Sequence, residues 1–157
     1  MRIEMTVSIT LKGIVGTNEY RVAEKIKKLF DTQLPKNLTG HILISSNVKI
    51  VGGEVKDIDI FLVGKFDLGY EIELLSRVKG QDELSKRKIR FNSFCLCIEL
   101  KSQDASSIWF EGEKLFVRYD GRPHDVSEQS QKQKDALRFF IKDRLGFTPF
   151  ICNMIWL

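Results

Sequence analysis

Residues 56–64, with the sequence KDIDIFLVG, and residues 95–102, with the sequence CLCIELKS, decide the fold. Both stretches are mainly apolar and have the length of a β-strand. Side chains alternate between the two faces of a strand, so Glu99 and Lys101 project on the same side. If the two strands pair, Asp59 of the first stretch joins them. We therefore predict a sheet end at which two carboxylates and one ammonium group converge.

This grouping has a chemical consequence, because a buried carboxylate is costly unless a cation or hydrogen bonds compensate it. Magnesium prefers hard oxygen ligands, keeps several waters and activates water for phosphodiester hydrolysis. We therefore expect Asp59 and Glu99 to bind magnesium or manganese, and their like charges should raise at least one carboxyl pKa in the metal-free chain. Lys101 would lie beside the attacking water or the phosphate. The alternative is an internal salt-bridge network without catalysis.

Two amphipathic helices are predicted, at residues 18–31 and 127–145. Glu19 lies on the apolar face of the first helix, where it either stabilises the helix dipole or faces Asp59 and Glu99. The second helix presents two amides, Gln129 and Gln133, on its apolar face. Gln129 is interpreted as a group that hydrogen-bonds substrate or water, with a structural glutamine as the alternative.

Further strands are expected on both sides of these elements. Residues 41–51 (HILISSNVKIV) form a predicted strand, and a turn at Gly52 and Gly53 leads into the Asp59 strand. A hairpin is expected around Gly112. The last segment, residues 147–157 (FTPFICNMIWL), is expected to be a strand. It is interpreted either as an edge strand or as the place where one domain is cut from a longer polypeptide.

Residues 64–90 form a basic insert between the two stretches quoted first. Residues 70–78 (YEIELLSRV) are compatible with a strand or a short helix, and residues 80–91 (GQDELSKRKIRF) with a helix or a loop. A charge run is usually a solvated face, but we favour a phosphate-contacting element beside the site. Its candidate nucleic-acid-binding residues are Arg77, Lys79, Lys86, Arg87, Lys88 and Arg90.

Composition limits the remaining classes. The chain has 157 residues, enough for one domain with a core, and 43% of them are hydrophobic. No apolar run approaches the roughly 20 residues of a membrane helix. The N-terminus lacks the pattern of a signal peptide, and three cysteines suggest reduced thiols, so we expect a cytoplasmic protein without membrane contact. His41 and His124 have no nearby cysteine, which disfavours a zinc site. The net charge of +4 mildly favours a polyanionic partner.

Taken in order, four motifs resemble the nuclease-related domain (NERD) family of the PD-(D/E)xK nuclease superfamily. They are Glu19-Tyr-Arg-Val-Ala23 on the first helix, Asp57-Ile-Asp59-Ile-Phe-Leu-Val63, Ile98-Glu-Leu-Lys101 and Gln129 at the start of the last helix. The resemblance extends from about Gly16 to the C-terminus. Two features depart from the family. The family joins the Asp strand to the Glu-x-Lys strand by a short turn, whereas Asp59 and Glu99 are 40 residues apart here. The family's Asn-Pro pair before the helix glutamine is replaced by Asp125-Val126.

The resemblance implies an α/β fold of restriction-endonuclease type, with a mixed central sheet flanked by helices. It implies a metal-dependent nuclease acting on nucleic acid, with DNA as the expected substrate. The metal ligands would be Asp59, Glu99, Glu19 and the backbone carbonyl of Leu100, and Lys101 and Gln129 would complete the catalytic group. Residues 1–157 would then be one nuclease-related domain at the N-terminal part of a longer polypeptide, fused to or associated with a helicase or ATPase.

Two other function classes remain open. A catalytically inactive nucleic-acid-binding domain that positions a fused helicase, ATPase or effector would bind without metal and without cleavage. A protein-docking domain would neither bind nor cleave nucleic acid and would present an apolar surface instead.

Overall fold

The computed structural model describes residues 6–50, 57–77 and 84–157. In these ranges the chain forms eight β-strands, two α-helices and one short 3-10 helix. The strands are β1 (Val7–Lys12), β2 (Gly40–Lys49), β3 (Asp57–Arg77), β4 (Leu84–Leu100), β5 (Ile108–Glu111), β6 (Lys114–Tyr119), β7 (Arg122–Asp125) and β8 (Cys152–Trp156). The helices are α1 (Asn18–Gln33) and α2 (Val126–Leu145), and the 3-10 helix is Ala105–Ser107.

The central sheet has five strands in the order β1-β2-β3-β4-β8. Strands β2, β3 and β4 are antiparallel neighbours, whereas β1 is parallel to β2 and β8 is parallel to β4. Strands β5, β6 and β7 form a separate antiparallel sheet. The expected α/β class with a mixed sheet and two helices is therefore confirmed. The last segment contributes an edge strand of the central sheet, in agreement with one of its two interpretations.

Each helix packs on its own apolar cluster. Ile44 and Ile60 of the sheet pack with Ala23 and its neighbours on α1, and Cys97 packs with α2 on the opposite face. Adjacent residues of β4 belong to the two different clusters, as strand alternation requires. Ile44 and Ile60 are fully buried, and each such side chain contributes roughly 1.5–3 kcal/mol of hydrophobic stabilisation. The α1 cluster and the α2 cluster thus fix one helix on each side of the sheet.

Both helices begin at hydrogen-bonding caps, which explains their agreement with the predicted bounds. The Thr17 hydroxyl accepts from the Tyr20 amide at 3.2 Å and starts α1. The Asp125 carboxylate caps α2 in the same way, at 2.9 Å from the Glu128 amide. Helix α2 ends at Gly146, whose φ of 74° is the left-handed conformation that favours glycine.

Beyond the central sheet, β3 and β4 continue as a two-stranded ribbon. Pairing of β2 with β3 ends at Phe66, and pairing of β8 with β4 begins only at Leu96. The helix or loop expected for residues 80–91 is therefore wrong for residues 84–91, which are β-strand. The predicted turn at residues 52–53 and Lys79 lie outside the described residues. For Arg77 the structure describes only the backbone, at the end of β3.

The hairpin expected around Gly112 is confirmed, with β5 and β6 as its two strands and a φ of 62° at Gly112. All three cysteines are free thiols, and burial raises the pKa of Cys97 to about 12. In the described part of the chain, neither helix has the length and apolar character needed to cross a membrane.

Candidate functional site

Asp59 and Glu99 lie on neighbouring antiparallel strands, as predicted. Backbone pairing between β3 and β4 reaches Ile60 and Ile98, and the two acidic residues come directly after this pair at the end of the ladder. There the Asp59 Oδ2 atom accepts a hydrogen bond from the Leu100 backbone amide at 2.8 Å. The carboxylate of one strand therefore binds the backbone of the other, which brings both acidic residues to one sheet end.

Glu99 is buried, with an exposed fraction of 2%. Its Oε1 atom accepts from the Lys101 ammonium at 2.5 Å and from the Gln129 amide at 2.7 Å. Its Oε2 atom accepts from the amide of Gln133. A buried carboxylate needs both a counter-charge and hydrogen bonds, and Glu99 has both.

The Lys101 side chain is largely buried, and its ammonium lies among three partners. Besides Glu99, it donates to Gln129 Oε1 at 3.3 Å and lies 5.5 Å from the ring centre of Tyr119 on β6. Burial lowers the pKa of Lys101, but the hydrogen bond and the negative charge of Glu99 outweigh burial, so the pKa is raised. Lys101 is therefore a fixed cation at neutral pH.

The pKa of the Asp59 carboxyl group is higher than that of an ordinary aspartate. Burial raises its pKa from 3.8 to about 6, and the charges of Glu99 and Glu19 act in the same direction. The hydrogen bond from Leu100 opposes this rise only in part. The expectation that at least one carboxyl pKa is raised is confirmed, although burial, and not repulsion between carboxylates, is the largest cause.

Glu19 lies in the first turn of α1 and reaches the same site. Its Oε2 atom accepts from the Asn47 amide of β2 at 3.0 Å. Its own backbone amide and the Asn47 side chain lower the pKa of Glu19. The charge of Glu19 contributes to the raised pKa of Asp59, so the two carboxyl groups are near enough to interact electrostatically. The structure thus brings together Glu19, Asp59, Glu99, Lys101 and Gln129.

Three side chains at the site received no role from sequence reasoning. Gln133 was recognised on the correct helix face, and the structure buries it against Glu99 and Cys97, whose thiol donates to Gln133 Oε1 at 4.0 Å. Tyr119 belongs to a different sheet, so only the tertiary fold brings its ring to Lys101. Asn47 had no signal in the sequence, since it falls in the regular alternation of the strand at residues 41–51, on the same side as Ser45 and Lys49.

The donor set fits a hard cation. The carboxylates of Asp59 and Glu99 lie on adjacent strands, and magnesium in proteins commonly binds one or two carboxylates and completes its shell with water. Among the residues that the structure describes, no three His, Cys, Asp or Glu side chains lie close enough to form a metal cluster by themselves. Glu19 and the Leu100 carbonyl therefore stay predicted additional ligands.

The basic residues of the ribbon do not lie beside this site. Arg90 and Lys86 precede Glu99 by nine and thirteen residues, which is roughly 30 and 43 Å along β4 at the rise of a strand. Lys86 and Lys88 form ion pairs with Glu73 and Glu71, at 2.9 and 3.0 Å. These residues are therefore separated from Glu99 by the length of the ribbon, whose register shifts between Lys65 and Tyr70. Their contact with nucleic acid stays a prediction.

Arg87 differs from its neighbours in orientation. Lys86, Lys88 and Arg90 share one face of the ribbon by strand alternation, and Arg87 projects from the other. The basic residues with described side chains therefore do not line a single groove.

Comparisons with known proteins complete these observations. No protein-family model, no curated protein and no solved structure matches the chain.

Proposed function

We propose that this chain is a metal-dependent nuclease that hydrolyses phosphodiester bonds of nucleic acid, with DNA as the substrate. The observation that supports this most directly is the arrangement at the end of β3 and β4. Glu99 is buried against a lysine ammonium at 2.5 Å, and Asp59 next to it has a pKa raised to about 6. Perturbed carboxyl groups next to a fixed cation are typical of catalytic sites. The fold proposed with this function is of restriction-endonuclease type, as in the NERD family.

In this mechanism Asp59 and Glu99 would hold a magnesium or manganese ion, which would supply an activated water and charge neutralisation at the phosphate. Lys101 places its ammonium at the negative charge that develops on the phosphate oxygens. Gln129 bridges Glu99 and Lys101, so it keeps the ammonium in a defined position. The Tyr119 ring lies within cation–π distance of the same ammonium, which is 5.5 Å from the ring centre.

One observation favours a second candidate, a catalytically inactive nucleic-acid-binding domain that positions a fused helicase, ATPase or effector. Both oxygens of Glu99 already accept hydrogen bonds, from Lys101, Gln129 and Gln133. A carboxylate satisfied in this way is also what a purely structural ion-pair network requires. Binding without metal-dependent cleavage would identify this second function.

The experiment that separates the two uses Asp59→Asn. This substitution removes a carboxylate whose charged form is disfavoured by burial, so it removes the proposed metal ligand without the cost of breaking an ion pair. We expect DNA cleavage with magnesium or manganese to fall at least about 100-fold, while circular dichroism shows a folded chain. Asp31→Asn is the matched control, since Asp31 is a surface carboxylate paired with Lys27.

Cleavage that depends on metal, is abolished by EDTA and survives in the Asp31 variant supports the nuclease. Equal cleavage by wild type and the Asp59 variant contradicts it, because the activity then comes from another site or a contaminant. Wild-type binding to DNA without cleavage under any metal condition contradicts it as well.

A further inference from the structure

Asn47 has a backbone conformation that is unusual inside a strand. Its φ is 53°, whereas strand residues have φ near −140°. The register pairs Ser46 with Ile60 and Val48 with Ile58, so Asn47 and Asp59 are the two intervening residues on facing strands. Asparagine tolerates the left-handed conformation better than most residues because its short polar side chain hydrogen-bonds locally. The irregularity therefore lies directly across from a candidate metal ligand.

The packing of β3 is irregular at the same position. Residues two apart on a regular strand share a face. Ile58, however, packs in the cluster under α2, and Ile60 packs in the cluster under α1. On β2, Val48 packs under α2, whereas Ile44 packs under α1. At the position where Asn47 and Asp59 lie opposite each other, the buried side chains of both strands thus switch from the α1 cluster to the α2 cluster.

The Asn47 side chain connects this irregularity to helix α1. Its Nδ2 donates to Glu19 Oε2 at 3.0 Å, and its Oδ1 accepts from the Ser46 hydroxyl at 3.1 Å. The Thr17 hydroxyl lies 3.0 Å from the same Oδ1 and shares its one hydrogen between this oxygen and the Ile14 carbonyl at 2.9 Å. Thr17 is the residue that caps α1. One amide therefore holds both the first turn of the helix and the carboxylate that this turn presents.

We infer that Asn47 is a positioning residue, which holds the Glu19 carboxylate on the side of β2 opposite Asp59 so that both can bind one divalent cation. This inference rests on the proposed nuclease function. A donor is needed at this place because Glu19 and Asp59 repel each other, and an unheld glutamate side chain would turn toward solvent. Asn47 itself does not bind the cation, because its amide oxygen accepts from the Ser46 hydroxyl and its amide nitrogen donates to Glu19.

The test is a set of three variants: Asn47→Gly, Glu19→Gln and the double variant. Glycine keeps the positive φ and removes only the amide, so the fold is retained. The measurement is the affinity of the full chain for Mn²⁺, followed by electron paramagnetic resonance. Loss of a residue that orients a metal ligand commonly weakens metal binding about 10–100-fold. We expect a loss of about tenfold for Asn47→Gly, and no further loss when it is added to Glu19→Gln.

Asn153→Ala is the matched control, because Asn153 also donates an amide hydrogen bond, to Ser130, but lies on β8. Its Mn²⁺ affinity should equal that of wild type. If Asn47→Gly were poorly folded by circular dichroism, Asn47→Ser would replace it, since serine is too short to reach Glu19.

The possible results separate the role of Asn47 from the nuclease function on which it rests. Undiminished Mn²⁺ affinity in the Asn47 variant, or losses that multiply in the double variant, overturn the role of Asn47 and leave the nuclease proposal standing. A wild-type chain that binds no Mn²⁺ overturns the nuclease proposal and the role of Asn47 with it.

Discussion

Replacing Lys101 with methionine should lower the free energy of unfolding by about 3 kcal/mol. The side chains of Lys101 and Glu99 are 7% and 3% exposed, and their charged atoms lie 2.5 Å apart. Removing one partner of a buried ion pair commonly costs about 3–5 kcal/mol, because the other charge stays buried without compensation. Gln129 and Gln133 still donate to Glu99 in the variant, which places the cost at the lower end of this range. Methionine fills the space of the lysine stem, so the cavity contribution is small.

The assay is urea and thermal unfolding followed by circular dichroism. For a chain of this length a loss of about 3 kcal/mol corresponds to a fall in Tm of roughly 6–12 °C. Lys27→Met is the matched control, since Lys27 pairs with Asp31 on the surface with side chains 35% and 46% exposed. Surface pairs contribute about 0–1 kcal/mol, so the control should be close to wild type.

The neutral pair made by combining Lys101→Met with Glu99→Gln isolates the charge effect. It should be more stable than either single variant, because no uncompensated charge is left inside. A Lys101→Met variant that loses no more stability than the Lys27 control would refute the reasoning, since Glu99 would then have access to water. If the double variant is as stable as wild type, the charges of Lys101 and Glu99 do not contribute to stability. This result would favour a catalytic role for the two residues over a purely structural ion-pair network.

Two further predictions concern Asp59 and the ribbon. The folded chain binds more protons at Asp59 than the unfolded chain between the ordinary pKa of 3.8 and about 6, so this group lowers the free energy of unfolding as pH rises through that interval. Asp59→Asn should therefore gain stability relative to wild type as pH rises, measured by urea unfolding, and a difference independent of pH would contradict the raised pKa. Reversing Lys86, Arg87 and Lys88 to glutamate should weaken DNA binding and lower its salt dependence by roughly 0.9 log units for each phosphate that the ribbon no longer neutralises. Unchanged affinity and salt slope would identify the ribbon as a solvated face or a docking surface.

The parts of the site that sequence alone predicts are those set by local periodicity. Alternation along one strand places Glu99 and Lys101 on one face, and it needs no knowledge of the rest of the fold. The helical repeat of 3.6 residues places Gln133 on the buried face of α2 in the same way, whereas Gln129, expected on that face, is an exposed residue whose amide still reaches Glu99 and Lys101. The structure shows that, of the two glutamine side chains, only that of Gln133 is buried.

The parts that sequence missed depend on backbone detail or on distant pairing. Nothing in the residue types of β2 indicates that Asn47 takes a left-handed conformation, because asparagine is also compatible with a regular strand end. The ribbon was missed because residues 84–91 are rich in lysine and arginine with few apolar residues, and such a segment forms a strand only when a partner such as residues 70–77 lies beside it.

Asp59 and Glu99 are neighbours on the sheet, yet the fold neutralises them unequally. Glu99 accepts from the Lys101 ammonium and two amides, whereas Asp59 accepts from one backbone amide in the described part of the chain. The charge of Glu19 adds to that of Asp59 and has no cation as a hydrogen-bond partner there. Asp59 and Glu19 thus carry the less compensated negative charge of the site, although the charge of Lys101 lowers the pKa of Asp59 in part. Under the proposed function, a divalent cation would gain most by binding there, with Glu99 contributing from its ion pair with Lys101.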